Sequence, residues 1–171
     1  INLCPFGNTR GRPQSLAKSG YDSYRLCRPH QKDCPLPDDD FVWVGYDGSE
    51  IGGSRVLGWY NSQLGKIGKK INDWLGSFGH RNPGILLFGV GNHGGGPSRQ
   101  DLRQIRALIP EKRKAGWNLI HSTPEQYFAE LRRRGDELQR HEKDLNPWGV
   151  GCYSSMVRVK QKHRQLENEL Y

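Results

Sequence analysis

The sequence lacks several features that identify whole classes of protein. None of its 171 residues falls in a run of about 18 apolar residues, so the sequence predicts no membrane-spanning helix and no membrane partner. A charged segment followed by an apolar one is also missing, which argues against a secretory signal peptide and favours a cytoplasmic location. The four cysteines form no C-x-x-C pair, and the six histidines include no H-E-x-x-H. Cys27, His30 and Cys34 match no common zinc spacing.

Methionine is equally scarce, since Met156 is the only one. The chain begins at Ile1 and ends at Tyr171 inside an apolar-periodic run, without the glycine or proline that commonly closes a helix. We therefore expect a piece of a longer protein. Its 17 aromatic residues are too many for a disordered segment, which lacks the apolar surface needed to offset the entropy of ordering.

Positive charge is in excess, with 26 basic and 18 acidic residues and a net charge of +8. The basic residues are scattered rather than clustered in one stripe. Arg132, Arg133 and Arg134 fall at the predicted end of a helix, where cations offset the helix dipole. The charge therefore predicts a solvated surface and no nucleic-acid partner.

Apolar periodicity predicts an α/β fold that gives way to helices near residue 138. Strands are expected at residues 21–27, 41–44, 55–59, 85–88 and 117–121. Helices are expected at residues 12–19, 64–78, 98–109, 123–135 and 156–171. Ser98 and Thr123 are the expected helix caps.

A glycine-rich loop between the predicted strand 85–88 and the following helix is the main candidate site. Gly89-Val90-Gly91-Asn92-His93-Gly94 satisfies G-x-G-x-x-G, the pattern of a dinucleotide phosphate loop. The rest of that unit disagrees, because the turn is longer and the next predicted strand ends in His121-Ser122 instead of an acidic residue. Glycines let a backbone approach a ligand closely, so we predict a ligand-facing loop, with a tight turn as the alternative.

At this loop the sequence resembles a known family. LLFGVGNHGGGPSRQDL is similar to the glycine-rich signature of glycoside hydrolase family 38, the α-mannosidases. FGNTRGRPQSLAKSGYDSYRLCRP resembles the stretch around that family's nucleophile, and FVWVGYDGS resembles its next strand and turn. HSTPEQYFAEL and DLNPWGVGCYSSMVRVKQKHRQLENEL resemble later helices in the same order.

The resemblance implies a partial α/β barrel that leads into the start of a helical bundle. Residues 1–137 would belong to the barrel of the catalytic domain, and residues 138–171 to the transition. It also implies a zinc-dependent retaining hydrolase acting on α-mannosides, with one carboxylate as nucleophile and another carboxyl group as proton donor. Most of the zinc ligands would lie outside the chain, so we expect the isolated chain to be inactive.

The resemblance also assigns candidate residues. Cys4 aligns with the nucleophilic Asp, which is also a zinc ligand in the family, so the alternative is a non-catalytic relic that binds mannosides or serves as a scaffold. Asn92 and His93 lie near the family's general acid, and Arg28 matches a site arginine whose fork suits carboxylates. Trp148 and Tyr153 are candidate sugar-pocket residues.

Two features suggest local damage to the family's pattern. Arg25 falls inside an otherwise apolar predicted strand, where an unpaired buried charge costs several kcal/mol. The segment Leu57-Gly58-Trp59-Tyr60-Asn61-Ser62 is short relative to the family. Both features lead us to expect a degenerate sequence near the site.

Overall fold

The computed structural model describes residues 3, 5–36, 38–93, 95–134, 137–145, 149 and 151–170. The strands are β1 (Ser23–Leu26), β2 (Asp40–Val44), β3 (Glu50–Arg55) and β4 (Arg140–His141). The helices are α1 (Arg12–Lys18), α2 (Ile67–Phe78), α3 (Arg99–Lys114), α4 (Pro124–Arg134), α5 (Gly151–Ser154) and α6 (Val157–Leu170). The expected mixture of helices and strands is confirmed.

The four strands form one mixed sheet in the order β1-β3-β2-β4. β3 pairs parallel with β1 and antiparallel with β2, and β4 pairs parallel with the other side of β2. The main core lies on this sheet, where Leu26, Phe41, Trp43 and Leu145 are fully buried. The sheet therefore sets β1 and β3 side by side and pointing the same way, which matters for the site.

A second, smaller core joins α2 to α3 through Ile67, Ile71 and Ile105. Asp101 in the first turn of α3 is fully buried and accepts a hydrogen bond from the Gly65 amide at 3.0 Å. Gly65 has a φ of +68°, a conformation that only glycine adopts readily. The turn at Gly65 delays α2 to Ile67, so the predicted start at residue 64 is wrong by one turn.

The signals at helix starts are confirmed. The Ser98 hydroxyl oxygen accepts from the Asp101 amide at 3.0 Å and caps α3. The Thr123 hydroxyl oxygen accepts from the Gln126 amide at 3.3 Å, and the Gln126 side chain accepts from the Thr123 amide at 3.2 Å. This reciprocal pair is a capping box, and it begins α4 where the sequence predicts it.

Three strand predictions are wrong. The strand expected at residues 55–59 lies at Glu50–Arg55, where Gly53 leaves room for the Phe41 ring, so no apolar alternation marks it. Residues 85–88 are only partly buried and belong to no strand of the described sheet. Residues 117–121 also remain outside the sheet, and Ile120 is 69% exposed. The two-residue strand β4 was not predicted.

The Arg25 guanidinium is buried but has partners, so the expectation of an unpaired charge is wrong. It donates to the Ser54 hydroxyl at 2.8 Å and to the Ile85 carbonyl at 3.5 Å. It also lies 5.2 Å from the centroid of the Tyr127 ring. The Tyr127 hydroxyl in turn donates to the buried Asp40 carboxylate at 2.8 Å. This buried cluster joins β1, β2, β3 and α4.

Helix α6 contributes no residue to either core among the residues that the structure describes. None of its residues is buried, and the apolar Val159, Leu166 and Leu170 are exposed. Within the described ranges, no helix has both the length and the apolar content needed to cross a membrane.

Candidate functional site

Two segments meet beside the sheet and define the candidate site. We call residues 57–62 the aromatic segment and residues 89–96 the glycine loop. The Ser62 amide donates to the Gly89 carbonyl at 2.8 Å, and the Asn61 side-chain amide donates to the Gly91 carbonyl at 2.8 Å. The Tyr60 hydroxyl reaches the Asn92 carbonyl at 3.4 Å. The two segments are thus joined along their length.

The glycine content of the loop has a steric cause. The Val90 amide donates to the Gly96 carbonyl at 2.9 Å, which folds the loop back on itself. A Cβ atom on Gly95 would lie 1.9 Å from the Val90 carbonyl oxygen, closer than any real contact. The close return of the backbone therefore requires glycine at position 95, so this glycine, which directly follows the G-x-G-x-x-G pattern, serves a tight turn.

An aromatic and cationic cluster lies next to the glycine loop. Trp59 and Tyr60 are stacked with their ring centroids 5.0 Å apart, and the His30 ring lies 5.6 Å from that of Trp59. The Arg28 guanidinium lies 5.4 Å from the Trp59 ring centroid and 5.9 Å from that of Phe6. Aromatic rings beside a cation form a surface on which a polar ring compound can lie.

Topology explains why these residues meet. Arg28 and His30 follow the carboxyl end of β1, and the aromatic segment follows the carboxyl end of β3. Because β1 and β3 are parallel neighbours, both segments leave the same edge of the sheet. This is the edge at which α/β domains with parallel strands place their ligand sites.

Trp59 also carries backbone strain, with a φ of +63°. Such a value is a genuine outlier for a bulky residue and costs about 1–3 kcal/mol. The preceding Gly58 also has a positive φ, of +71°. The two residues together turn the chain sharply, so that the Trp59 ring lies beside Arg28 and not in either core.

The residues chosen from the sequence fall into three groups. Arg28 contacts Trp59 and the Asn92 carbonyl contacts Tyr60. Because Trp59 and Tyr60 are stacked, Arg28 and the Asn92 backbone lie in one site. The side chains of Asn92 and His93 are exposed at its rim. Cys4, Trp148 and the side chain of Tyr153 lie outside the described residues, so their assignment stays a prediction.

Sequence reasoning treated the aromatic segment only as a shortened stretch and missed Trp59, Tyr60 and His30 as site residues. The signal that was available is the Trp59-Tyr60 pair in the segment that follows β3. Zinc has no site in this region: over the described ranges no three His, Cys, Asp or Glu side chains lie together as metal ligands would. The residues described here therefore do not fit a zinc ion by themselves.

The comparison with protein families settles which family this architecture belongs to. Residues 3–150 match the N-terminal domain of the glycosyl hydrolases of family 38. The chain belongs to glycoside hydrolase family 38. The matched range includes Arg28, the aromatic segment and the glycine loop, so the resemblance stated from the motifs is confirmed.

Individual relatives carry the name α-mannosidase. The chain is 28% identical to alpha-mannosidase G of Dictyostelium discoideum and 24% identical to an alpha-mannosidase of Saccharomyces cerevisiae, in each case over 97% of the chain. It spans only 16% of the length of each of these two proteins. A solved α-mannosidase of Enterococcus faecalis shares the fold, with a TM-score of 0.61 over 84% of this chain, 17% of that chain and 19% identity.

Proposed function

We propose that this family 38 chain is part of the catalytic domain of a longer α-mannosidase, and that it supplies one wall of the sugar site. The observation that supports this most directly is the meeting of Arg28, the Trp59-Tyr60 stack and the glycine loop at the carboxyl edge of β1 and β3. In the longer protein, residues 1–137 would complete an α/β barrel. Residues 138–171 would lead into a helical bundle.

The proposed chemistry is retaining hydrolysis of terminal α-mannosyl residues of oligosaccharides. A retaining mechanism needs a nucleophilic carboxylate on one side of the bond and a proton donor on the other. Arg28 would hold the nucleophilic group in place through the planar fork of its guanidinium. The exposed His93 ring, next to Asn92 in the glycine loop, is the side chain in this chain best suited to deliver a proton to the leaving oxygen.

The rings of Trp59 and Tyr60 would bind the apolar face of the sugar, since C–H-rich sugar faces pack against aromatic rings. Zinc, in the longer protein, would take most of its ligands from outside the described residues and would bind sugar hydroxyls. The mechanism proposed for this chain's own residues includes no step through the metal.

Cys4 favours a second candidate function. A thiolate at the nucleophile position does not replace a carboxylate that must leave again from the anomeric carbon. A protein with Cys4 would then bind mannosides, or serve as a scaffold, without turnover. On either proposal the isolated 171-residue chain has no activity, because most of the zinc ligands would lie outside it and the ligand position inside it is Cys4.

The test uses the complete parent protein with an aryl α-mannoside and added zinc, as wild type and as Cys4→Asp. Release of the aryl group by the wild type, or a gain of activity in Cys4→Asp, is the result expected of a mannosidase. Ser77→Asp is the matched control, because it adds the same carboxylate at an exposed position on α2. No hydrolysis by either protein, together with measurable mannose binding, would favour the binding-only relic. Absence of both hydrolysis and mannose binding would refute the mannosidase proposal and the mannoside-binding proposal.

A further inference from the structure

Lys70 on α2 makes an unusual set of hydrogen bonds. Its ammonium group donates to the carbonyl oxygens of Trp59 at 3.0 Å, Asn61 at 2.7 Å and Leu87 at 2.7 Å. An ammonium group has three protons, so all its donors are used by main-chain acceptors. The amine therefore has no free donor for a substrate and serves to hold the backbone.

The three acceptors belong to the two sides of the candidate site. Trp59 and Asn61 are in the aromatic segment, on either side of Tyr60, whose hydroxyl reaches the glycine loop. Leu87 lies two residues before Gly89, where the glycine loop begins. One side chain on a packed helix thus connects both segments at a single point. The helix is itself anchored, since Ile67 and Ile71 of α2 are buried against α3.

The neighbouring lysine shows that the helix itself does not require this arrangement. Lys69 is exposed and pairs with Asp73 one turn along α2, as lysines on helix surfaces commonly do. Lys70 instead is partly buried, and desolvation lowers its pKa to about 8. Its charge is compensated by carbonyl dipoles, with the Cys27 thiol as the nearby titratable group. Partial burial of the Lys70 ammonium group costs free energy of solvation, and its three hydrogen bonds offset that cost.

We propose that Lys70 is a positioning residue for the sugar site: it fixes the strained Trp59 backbone and the Tyr60 ring against the glycine loop. This proposal rests on the proposed mannosidase function only for the identity of the ligand, a mannoside. Without the three bonds, the positive φ of Trp59 loses its nearest support, and the aromatic segment becomes free to relax. The Trp59-Tyr60 stack would then no longer be fixed beside Arg28 before the ligand arrives.

The experiment compares Lys70→Met with wild type in the complete parent protein, and Lys69→Met is the matched control. Lys70→Met keeps the unbranched side chain up to the position of Cε and removes every donor. We expect faster hydrogen exchange confined to peptides covering residues 57–63 and 86–92, because the Ser62 amide donates to the Gly89 carbonyl and the Gly89 amide donates to the Ser62 hydroxyl between these segments. Lys69→Met should exchange like wild type.

The second readout is the split between KM and kcat for an aryl α-mannoside. We expect Lys70→Met to raise KM roughly tenfold, the factor that corresponds to about 1.4 kcal/mol of binding, while kcat falls less. A residue with only a structural role would lower the amount of folded enzyme and leave KM unchanged. Should Lys70→Met not fold, Lys70→Arg keeps the charge and several donors in a different geometry, and we expect a smaller rise in KM.

Two results would overturn the proposal. One is exchange in Lys70→Met that matches Lys69→Met in both segments. The other is faster exchange throughout the protein with an unchanged KM. The exchange measurement needs no turnover, so a parent protein without mannosidase activity would refute the proposed function and still decide the role of Lys70.

Discussion

The isolated 171-residue chain exposes more surface than a complete domain of its size. Its accessible surface is 11072 Å². A compact protein of 19.5 kDa is expected to expose about 8,500 Å², so the excess is about 2,500 Å². The chain buries only about 60% of its unfolded surface, where a domain of this length buries about 70%. We predict that the chain alone associates or remains molten.

The exposed apolar side chains indicate where association would begin. Seven aliphatic and methionine side chains are more than half exposed: Leu64, Ile120, Met156, Val157, Val159, Leu166 and Leu170. Five of the seven lie in or next to α6. Each fully covered side chain of this kind is worth about 1.5–3 kcal/mol, so covering them in the longer protein supplies stability that the isolated chain lacks.

Sedimentation velocity and near-UV circular dichroism test this prediction, and the five tryptophans make the second method sensitive. We expect oligomers and a broad thermal transition. The informative control ends the chain at Ser155, which removes α6 and its apolar stripe. This truncated chain should associate less but unfold no more cooperatively, because α6 buries no residue among those described. A sharp, reversible, two-state transition from a monomeric full-length chain would refute the reasoning.

Three further predictions concern the longer protein. Tyr127→Phe removes the hydroxyl that donates to the buried Asp40 carboxylate, and should cost about 1–3 kcal/mol, measured as faster hydrogen exchange in β2. Burial lowers the pKa of His141 below its usual 6.5, so the unfolded chain takes up the proton first as pH falls. The stability that His141 contributes is therefore present above pH 6.5 and lost below it, which exchange in β2 between pH 7.5 and 5.5 would report. Arg28→Lys keeps the charge but loses the planar group over Trp59, and should raise KM for α-mannosides about tenfold.

Each of these predictions has a result that contradicts it. Unchanged exchange in Tyr127→Phe would mean that the hydroxyl adds nothing to the cluster, and Tyr21→Phe, at an exposed tyrosine, controls for the method. A pH dependence that persists in His141→Gln would assign it to another group. If Arg28→Lys has the same KM as the wild type, the guanidinium of Arg28 does not contribute to sugar binding.

Local signals in the sequence predicted the starts of α3 and α4 well. Ser98 and Thr123 cap α3 and α4 because their partners lie three residues away, within reach of a local pattern. Strand β3 was misplaced for the opposite reason. Gly53 is required by Phe41 on the neighbouring strand β2, because a Cβ atom at position 53 would lie 2.5 Å from that ring. A pattern set by a neighbouring strand cannot be recognised from the strand's own residues.

The candidate site divides in the same way. The glycine loop and Arg28 could be found from motifs, because each is a short stretch with a recognisable composition. The aromatic segment could not, because its importance comes from the parallel pairing of β1 with β3, which places residue 59 beside residue 28. Its shortness relative to the family suggested damage, although the structure gives Trp59 and Tyr60 definite contacts with the loop and with Arg28.

Arg25 and Lys70 show why buried charge is a poor sign of degeneration. Arg25 interrupts an apolar strand, yet its partners Ser54, Ile85 and Tyr127 lie 29, 60 and about 100 residues away. The Lys70 ammonium group likewise has partners outside its own helix, the carbonyl oxygens of Trp59 and Leu87 on two loops. In each case the cationic group makes direct contacts with segments that are far apart in the sequence. A random substitution would leave such a charge without acceptors. The Lys70 ammonium group has an acceptor for each of its three donors, and two nitrogens of the Arg25 guanidinium have acceptors although its Nε has none, so neither charge is a sign of damage by itself.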